Sequence, residues 1–258
     1  MAVLTFAKWI ATAPAWILSL PEGLQRLVFQ FYQVFVYENR WKFFTDGLVT
    51  TFAVTIGALV IGVIIGMIVA LIRTTHDSQS KKPNIILRIL NSICKIYVTV
   101  LRGTPLMVQL LIMGFVVMVP KGSFETTMCA VVTLGINSGA YVAEIARSGI
   151  MSINVGQREA GRSLGLNYAQ TMWHIIIPQA IKNILPALGN ELIALLKETS
   201  LVTVIALQDV TKAAQVIVSK TYTAVIPYVS LALIYLVLVM ILTKLLEIFE
   251  RRLRKSER

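Results

Sequence analysis

Charge is scarce in this sequence. Only 14% of its 258 residues are Asp, Glu, Lys or Arg, against about 25% in an ordinary soluble domain. Acidic residues are scarcer than basic ones, 13 against 24. The two cysteines, Cys94 and Cys129, lie far apart with no CxxC and sit in apolar surroundings, which reads them as small packing residues. The two histidines, His76 and His174, have no companions at ligand spacing, so no metal site is expected. No glycine precedes a lysine, so the GxxxxGK[ST] phosphate loop is missing and ATP would have to be bound by another chain. No Ser/His/Asp set shares a site, so no catalytic residue and no cofactor is expected. No nucleic-acid motif accompanies the net charge of +11, and nucleic acid is not an expected partner.

Apolar residues make up 56% of the chain, more than a soluble protein of this size can cover. They fall in runs. A hydrocarbon core of about 30 Å takes ~20 mostly apolar residues per helix. Four windows carry no charge: Leu48–Ile72, Gly103–Pro120 (extended backwards by Ile96–Leu101), Thr126–Ala143 and Thr221–Thr243. A fifth, Ile181–Leu207, is interrupted only by Lys182, Glu191, Lys197 and Glu198. The expected fold is therefore an all-α integral membrane protein with five transmembrane helices. Residues 1–20 are apolar but carry Lys8 and Pro14, and read as an interfacial helix or a sixth span. Residues 24–44 mix aromatics with Arg26, Glu38, Arg40 and Lys42, the composition of an amphipathic segment in the interface. The expected organisation is an interfacial segment over 1–44, a transmembrane domain over 45–250 and a basic tail over 251–258. His76–Pro83 is the only clear polar linker.

Five spans place the termini on opposite sides. Fourteen basic residues, among them Arg73, Lys81, Lys82, Arg147, Arg158, Arg162, Arg254 and Arg258, fall in one set of loops, and seven in the other. Positive residues favour the cytoplasmic side, which assigns the C-terminus and the loop at about 152–180 to the cytoplasm. That loop has a pattern of its own. Helix formers run over Gln157–Leu164, Gly165 interrupts them, Asn167 is placed to cap a short helix from Tyr168, and Pro178 opens the approach to the next span. A structured loop of this length is usually functional, and a docking surface for a cytoplasmic partner is the expected role.

The run Glu159-Ala160-Gly161, three residues, Gly165, nine residues, Ile175, one residue, Ile177-Pro178 resembles the EAA loop of ABC importer permeases. Gly161 replaces the second alanine and Ile177 the leucine of that pattern. Leu101-Arg102-Gly103-Thr104-Pro105-Leu106 with Gln109, Asn137-Ser138-Gly139-Ala140-Tyr141, Ala143-Glu144-Ile145, Pro178-Gln179-Ala180 and Leu196-Lys197-Glu198-Thr199-Ser200-Leu201 are similar to the polar amino acid branch of those permeases. The resemblance covers about 45–247. It implies a bacterial plasma-membrane permease subunit that pairs with a second permease copy, docks a cytoplasmic ABC ATPase dimer and receives its amino acid from an extracytoplasmic binding protein. It places ATPase coupling on Glu159, Ala160, Gly161, Gly165, Leu166, Asn167, Tyr168, Ile175 and Pro178. An ion-coupled secondary carrier is the alternative that the same spans allow, though it has no use for the loop pattern.

Polar residues inside spans are costly and tend to face a cavity or a partner. Asn137, Tyr141 and Glu144 stand at i, i+4 and i+7 on one helical face; they line the path or make a helix contact, and Glu144 is also near enough to the span end to be solvated. Arg102 precedes Gly103 and Pro105, where the helix is expected to break, so that it either grips a carboxylate or only sets topology. Gln109, Asn190 and Lys197 complete the candidate path residues. Lys197 and Glu191, six apart, are expected to pair with other spans or another copy rather than with each other. Gly62, Gly66, Gly135 and Gly139 stand at GxxxG spacing, which lets helices approach closely.

Overall fold

The structure is a computed structural model, described for residues 4–78 and 84–255, with the side chains of residues 254 and 255 left aside. Part of the His76–Pro83 linker, with Lys81 and Lys82, and the end of the basic tail, with Arg258, lie outside the described residues. Among the described residues every regular element is helical.

Three short helices come first: α1 Phe6–Ile10, α2 Ala15–Leu18 and α3 Glu22–Phe31. None approaches spanning length, so the first twenty residues form no sixth span among the described residues. Pro14 and Pro21 sit at the N-caps of α2 and α3, where a missing N–H removes no helical bond. Phe6, Trp9, Phe29 and Tyr32 form an aromatic cluster, with Trp9 and Phe29 rings 5.3 Å apart. A π-turn, Tyr32–Val36, leads to a sharp reversal at Glu38 and Asn39, both at positive φ. Buried Arg40 secures that reversal by donating to the Gln33 carbonyl and pairing with Glu38 at 3.1 Å.

Helix α4, Trp41–Asp77, runs for 37 residues, well beyond the uncharged window that betrayed it. It packs along α7, Ser123–Met151. The contact is close because glycines face side chains in both directions. A Cβ on Gly66 would lie 2.6 Å from Val142 Cβ, and one on Gly135 would lie 2.7 Å from Ile61 Cβ. The expected GxxxG pairs thus interlock on two helices of the same chain, and dispersion across that seam binds them.

Between them lie α5, Ile85–Gly103, and α6, Leu106–Ile112, which continues through a π-turn to Val117; the two are bent by 105°. The loop after α7 contributes α8 Val155–Ser163 and α9 Tyr168–Thr171. A π-turn, Met172–Ile176, then feeds α10, Ile177–Glu198, and a 3₁₀ turn, Thr199–Ile205. Helix α11, Val210–Thr221, follows at a 49° bend, capped by Asp209 accepting from the Thr211 and Lys212 amides. Helix α12, Val225–Lys255, closes the chain. By length and composition α4, α7 and α12 cross a membrane singly, and the two bent pairs raise the count to five. The second and fourth spans are thus broken helices and not the straight rods that hydropathy windows suggest.

Candidate functional site

Two places gather the sequence-derived residues: the elbow between α5 and α6, and the loop between α7 and α10.

At the elbow Thr104 is extended (φ −115°, ψ 143°) because Pro105 follows it. The helix stops, and its last carbonyls lose their partners. Two side chains replace them. Gln109 Nε2 donates to the Leu101 carbonyl at 2.9 Å and to Thr104 Oγ1 at 2.8 Å. Asn137, on α7, donates to the same Leu101 carbonyl at 3.2 Å and to Gln109 Oε1 at 2.9 Å. Asn137 is 4% exposed, so it holds the elbow from behind.

Arg102 leaves the elbow on the open side. Its guanidinium stacks on the Tyr141 ring, 5.1 Å from the centroid, and its side chain is 43% exposed. Glu144 lies beyond. Its closest partner is Arg73 of α4, with Arg147 at 3.8 Å and Arg102 at 4.0 Å. Arg147 also reaches Asp77 at 3.2 Å. The charges that Glu144 answers belong to its own chain and tie α4, α5 and α7 together. Arg73, which sequence counting placed in a loop, lies inside α4 and was missed as Glu144's partner.

Arg102, Gln109, Asn137, Tyr141 and Glu144 therefore meet in one place. Asn190 and Lys197 do not join them. Asn190 Nδ2 donates to the Pro186 carbonyl of its own helix. Lys197 lines a separate cleft of about 320 Å³ with Ser200, Thr211, Tyr228 and Tyr235. Glu191 accepts from Ser138 of α7 at 2.7 Å, and among the described residues neither it nor Lys197 forms an ion pair.

The loop folds by local rules. Helix α8 ends in a Schellman turn: Leu166 N donates to the Gly161 carbonyl at 3.0 Å and Gly165 N to the Arg162 carbonyl at 2.9 Å. Gly165 sits at φ +77°, a left-handed conformation that side chains resist. Asn167 then caps α9 with a full capping box, its side chain accepting from Gln170 N while Gln170 Oε1 accepts from Asn167 N, both at 2.9 Å. Gly161 is buried against Thr171: a Cβ there would lie 2.7 Å from Thr171 Cγ2. That contact accounts for glycine where the pattern has alanine. Ile175 packs beneath α8, and Pro178 occupies the first turn of α10, where it is tolerated. Glu159 and Ala160 are exposed. So are Leu164 (78%), Trp173 (69%) and Tyr168 (41%). Leu164 and Trp173 escaped sequence reasoning; large apolar residues in an otherwise polar loop were the available signal.

Residues 84–255 match the family described as "Binding-protein-dependent transport system inner membrane component". The arginine transport system permease protein of Bacillus subtilis (strain 168) is 39% identical over 216 residues, covering 83% of this chain and 94% of the relative. The glutamine transport system permease protein of Escherichia coli (strain K12) is 33% identical over 211 residues, covering 81% and 92%. Among solved structures, an amino acid ABC transporter crystallised with histidines superposes with a TM-score of 0.73 at 44% identity, covering 82% of this chain and 94% of that one. An inward-facing methionine ABC transporter superposes at 0.69 with 19% identity, covering 83% and 97%, a likeness of fold.

Proposed function

The chain belongs to the binding-protein-dependent transport system inner membrane component family, and from that premise we propose that it forms the translocation path of an ATP-driven importer for polar amino acids. It is a permease subunit of an ABC transport system and a multi-pass membrane protein. ATP hydrolysis belongs to a separate subunit in such systems.

The reading is carried by the cytoplasmic loop. A Schellman turn and a capping box shape the α8–α9 corner, and the corner leaves Leu164, Tyr168 and Trp173 uncovered. Apolar surface of that kind marks a protein contact. The ATPase dimer docks there, with Glu159 and Ala160 at the edge and Gly161, Gly165, Leu166, Asn167, Ile175 and Pro178 shaping the corner. The cytoplasmic side is the one richest in arginine and lysine, and the C-terminus lies on it.

The elbow lies on the path. Arg102 and Tyr141, the exposed members, face the amino acid; Gln109 and Asn137 hold the break open, and Glu144 fixes the direction of Arg102. Asn190 and Lys197 contribute at a second level of the path. The short helices before α4, within residues 4–40, lie along the outer interface. A second permease copy and an extracytoplasmic binding protein complete the assembly.

The test is a purification. The tagged chain, gently extracted from its native membrane, is expected to carry a cytoplasmic ATPase at about one copy per permease. Recovery of the chain alone, together with amino acid uptake that persists after ATP depletion while an ion gradient remains, would replace the importer with a lone carrier.

A further inference from the structure

Beneath the α8–α9 corner lies a cavity of about 370 Å³. Its walls are the end of α4, at Asp77 and Ser78, helix α8, Tyr168 of the docking corner, and the π-turn at Met172 and Ile176. Two arginines, Arg158 and Arg162, line it. Their charge is poorly answered. Arg158 makes only long hydrogen bonds, to Ser78 Oγ at 3.3 Å, the Ile150 carbonyl at 3.4 Å and Met151 Sδ at 3.7 Å, and its Nε is buried without a partner. Among the described residues neither arginine has an ion pair. The one carboxylate in the wall, Asp77, is already held by Arg147 at 3.2 Å and His76 at 3.2 Å. Thr171, 4% exposed and also in the wall, has a buried hydroxyl without a partner. The cavity therefore offers donors and positive charge to an anion.

The flank of the cavity says which anion. Ile64, Leu71 and Ser78 repeat every seven residues and share one face of α4. Ile64, Ile68 and Leu71 are exposed, so an open apolar stripe runs down α4 and ends about two turns short of the cavity rim at Ser78, with half-buried Thr75 between them. A basic pocket at the cytoplasmic end of a membrane helix, with an apolar stripe further along that helix, fits a phosphate attached to acyl chains. We propose that this cavity is a headgroup site for an anionic phospholipid of the cytoplasmic leaflet, with its phosphate between Arg158 and Arg162 and its chains along Ile64, Ile68 and Leu71.

The site rests on the cytoplasmic placement of the loop, and that placement is read separately: a cysteine at exposed Ser163, introduced as Ser163→Cys, is expected to react with an impermeant maleimide from the cytoplasmic face only. Labelling from the outer face overturns the placement and the lipid site with it. The purified full-length chain, with any subunits that accompany it, is placed in nanodiscs of phosphatidylcholine mixed with phosphatidylglycerol, and the phosphatidylglycerol it retains is counted by native mass spectrometry. One basic residue near a membrane surface is worth about a fivefold change in affinity for an anionic lipid. Arg162→Gln, at an exposed position, is expected to weaken retention about fivefold with an unchanged melting temperature in phosphatidylcholine. The double variant Arg158→Gln/Arg162→Gln is expected to weaken it about 25-fold by the same rule. Equal retention by the wild type and Arg162→Gln overturns the site. So does full thermal stabilisation by inorganic phosphate in pure phosphatidylcholine, which would assign the cavity to a free anion. Loss of a co-purifying ATPase from Arg162→Gln at unchanged lipid count would assign it to an acidic side chain of that subunit, and also overturns the proposal.

Discussion

Gly165 carries the most consequence per atom. Nothing lies within 4 Å of a Cβ built there, so space does not forbid a side chain; the φ of +77° does. Left-handed backbone costs an ordinary residue roughly 1–2 kcal/mol and a β-branched one more, while asparagine tolerates it. Gly165→Val is expected to insert normally yet lose transport-coupled ATP hydrolysis, and Gly165→Asn to keep most of it; equal coupling in both, measured in proteoliposomes, would refute the role. At the elbow, Asn137→Leu removes a donor from the Leu101 carbonyl and leaves Gln109 Oε1 unanswered. An unmade bond at a buried polar group costs about 1–3 kcal/mol, so a lower melting temperature and slower uptake are expected together. Gln109→Leu on top of Asn137→Leu is expected to cost less than the sum of the two. Glu144→Gln similarly strands Arg73, whose side chain is 13% exposed; the expected loss is about 1–3 kcal/mol, partly recovered when Arg73→Met is added. These roles differ in how far a sequence displays them. The Gly165 turn and the Asn167 cap are written in neighbouring residues. The partnership of Glu144 with Arg73 joins positions 71 residues apart, and nothing local announces it.

The α4–α7 seam decides whether the other elements have anything to stand on. Its closest points are glycines facing short or β-branched side chains and backbone: Gly66 against Val142 and the Ala143 amide, Gly62 against Ser138 and the Gly139 amide. Gly66→Val has no flexible neighbour to displace, and such overpacking costs about 1–3 kcal/mol or more. A sharp fall in folded yield is expected for it, with a milder one for Gly23→Val, where nothing lies within 4 Å; a size-exclusion profile of each checks the contrast. The elements themselves were legible to unequal degrees. Five spans followed from hydropathy, and the elbow from Gly103 and Pro105. The length of α4 did not, because its ends are polar: Lys42, Thr45 and Asp46 at one end, Arg73, Thr74 and His76 at the other continue the helix without being apolar. The N-terminal helices were legible only as amphipathic, since the packing of Val34 with Phe44, Val210 and Ile217 is a meeting of distant segments.

On the scale of the whole molecule the two working regions share a frame. The elbow hangs on α7 through Asn137 and on α4 through Glu144 and Arg73, and the α8–α9 corner rests on the same two helices through Ala70, Ala146, Ile150 and Ile176. Dilute binding protein and ATPase are therefore expected to influence each other's affinity for the membrane subunit, equally in both directions, as linkage demands; pairwise titrations in nanodiscs measure it. The 37 residues of α4 have a mechanical meaning as well. At 1.5 Å per residue the helix is about 55 Å long, nearly twice the thickness of a hydrocarbon core. Interlocked with α7, it behaves as a beam pivoted near its middle, and a tilt of about 10° carries each end about 5 Å, close to one helical turn. A small rotation at the centre of the bilayer would thus become a full step at the two ends of the helix, beyond either face of the hydrocarbon core.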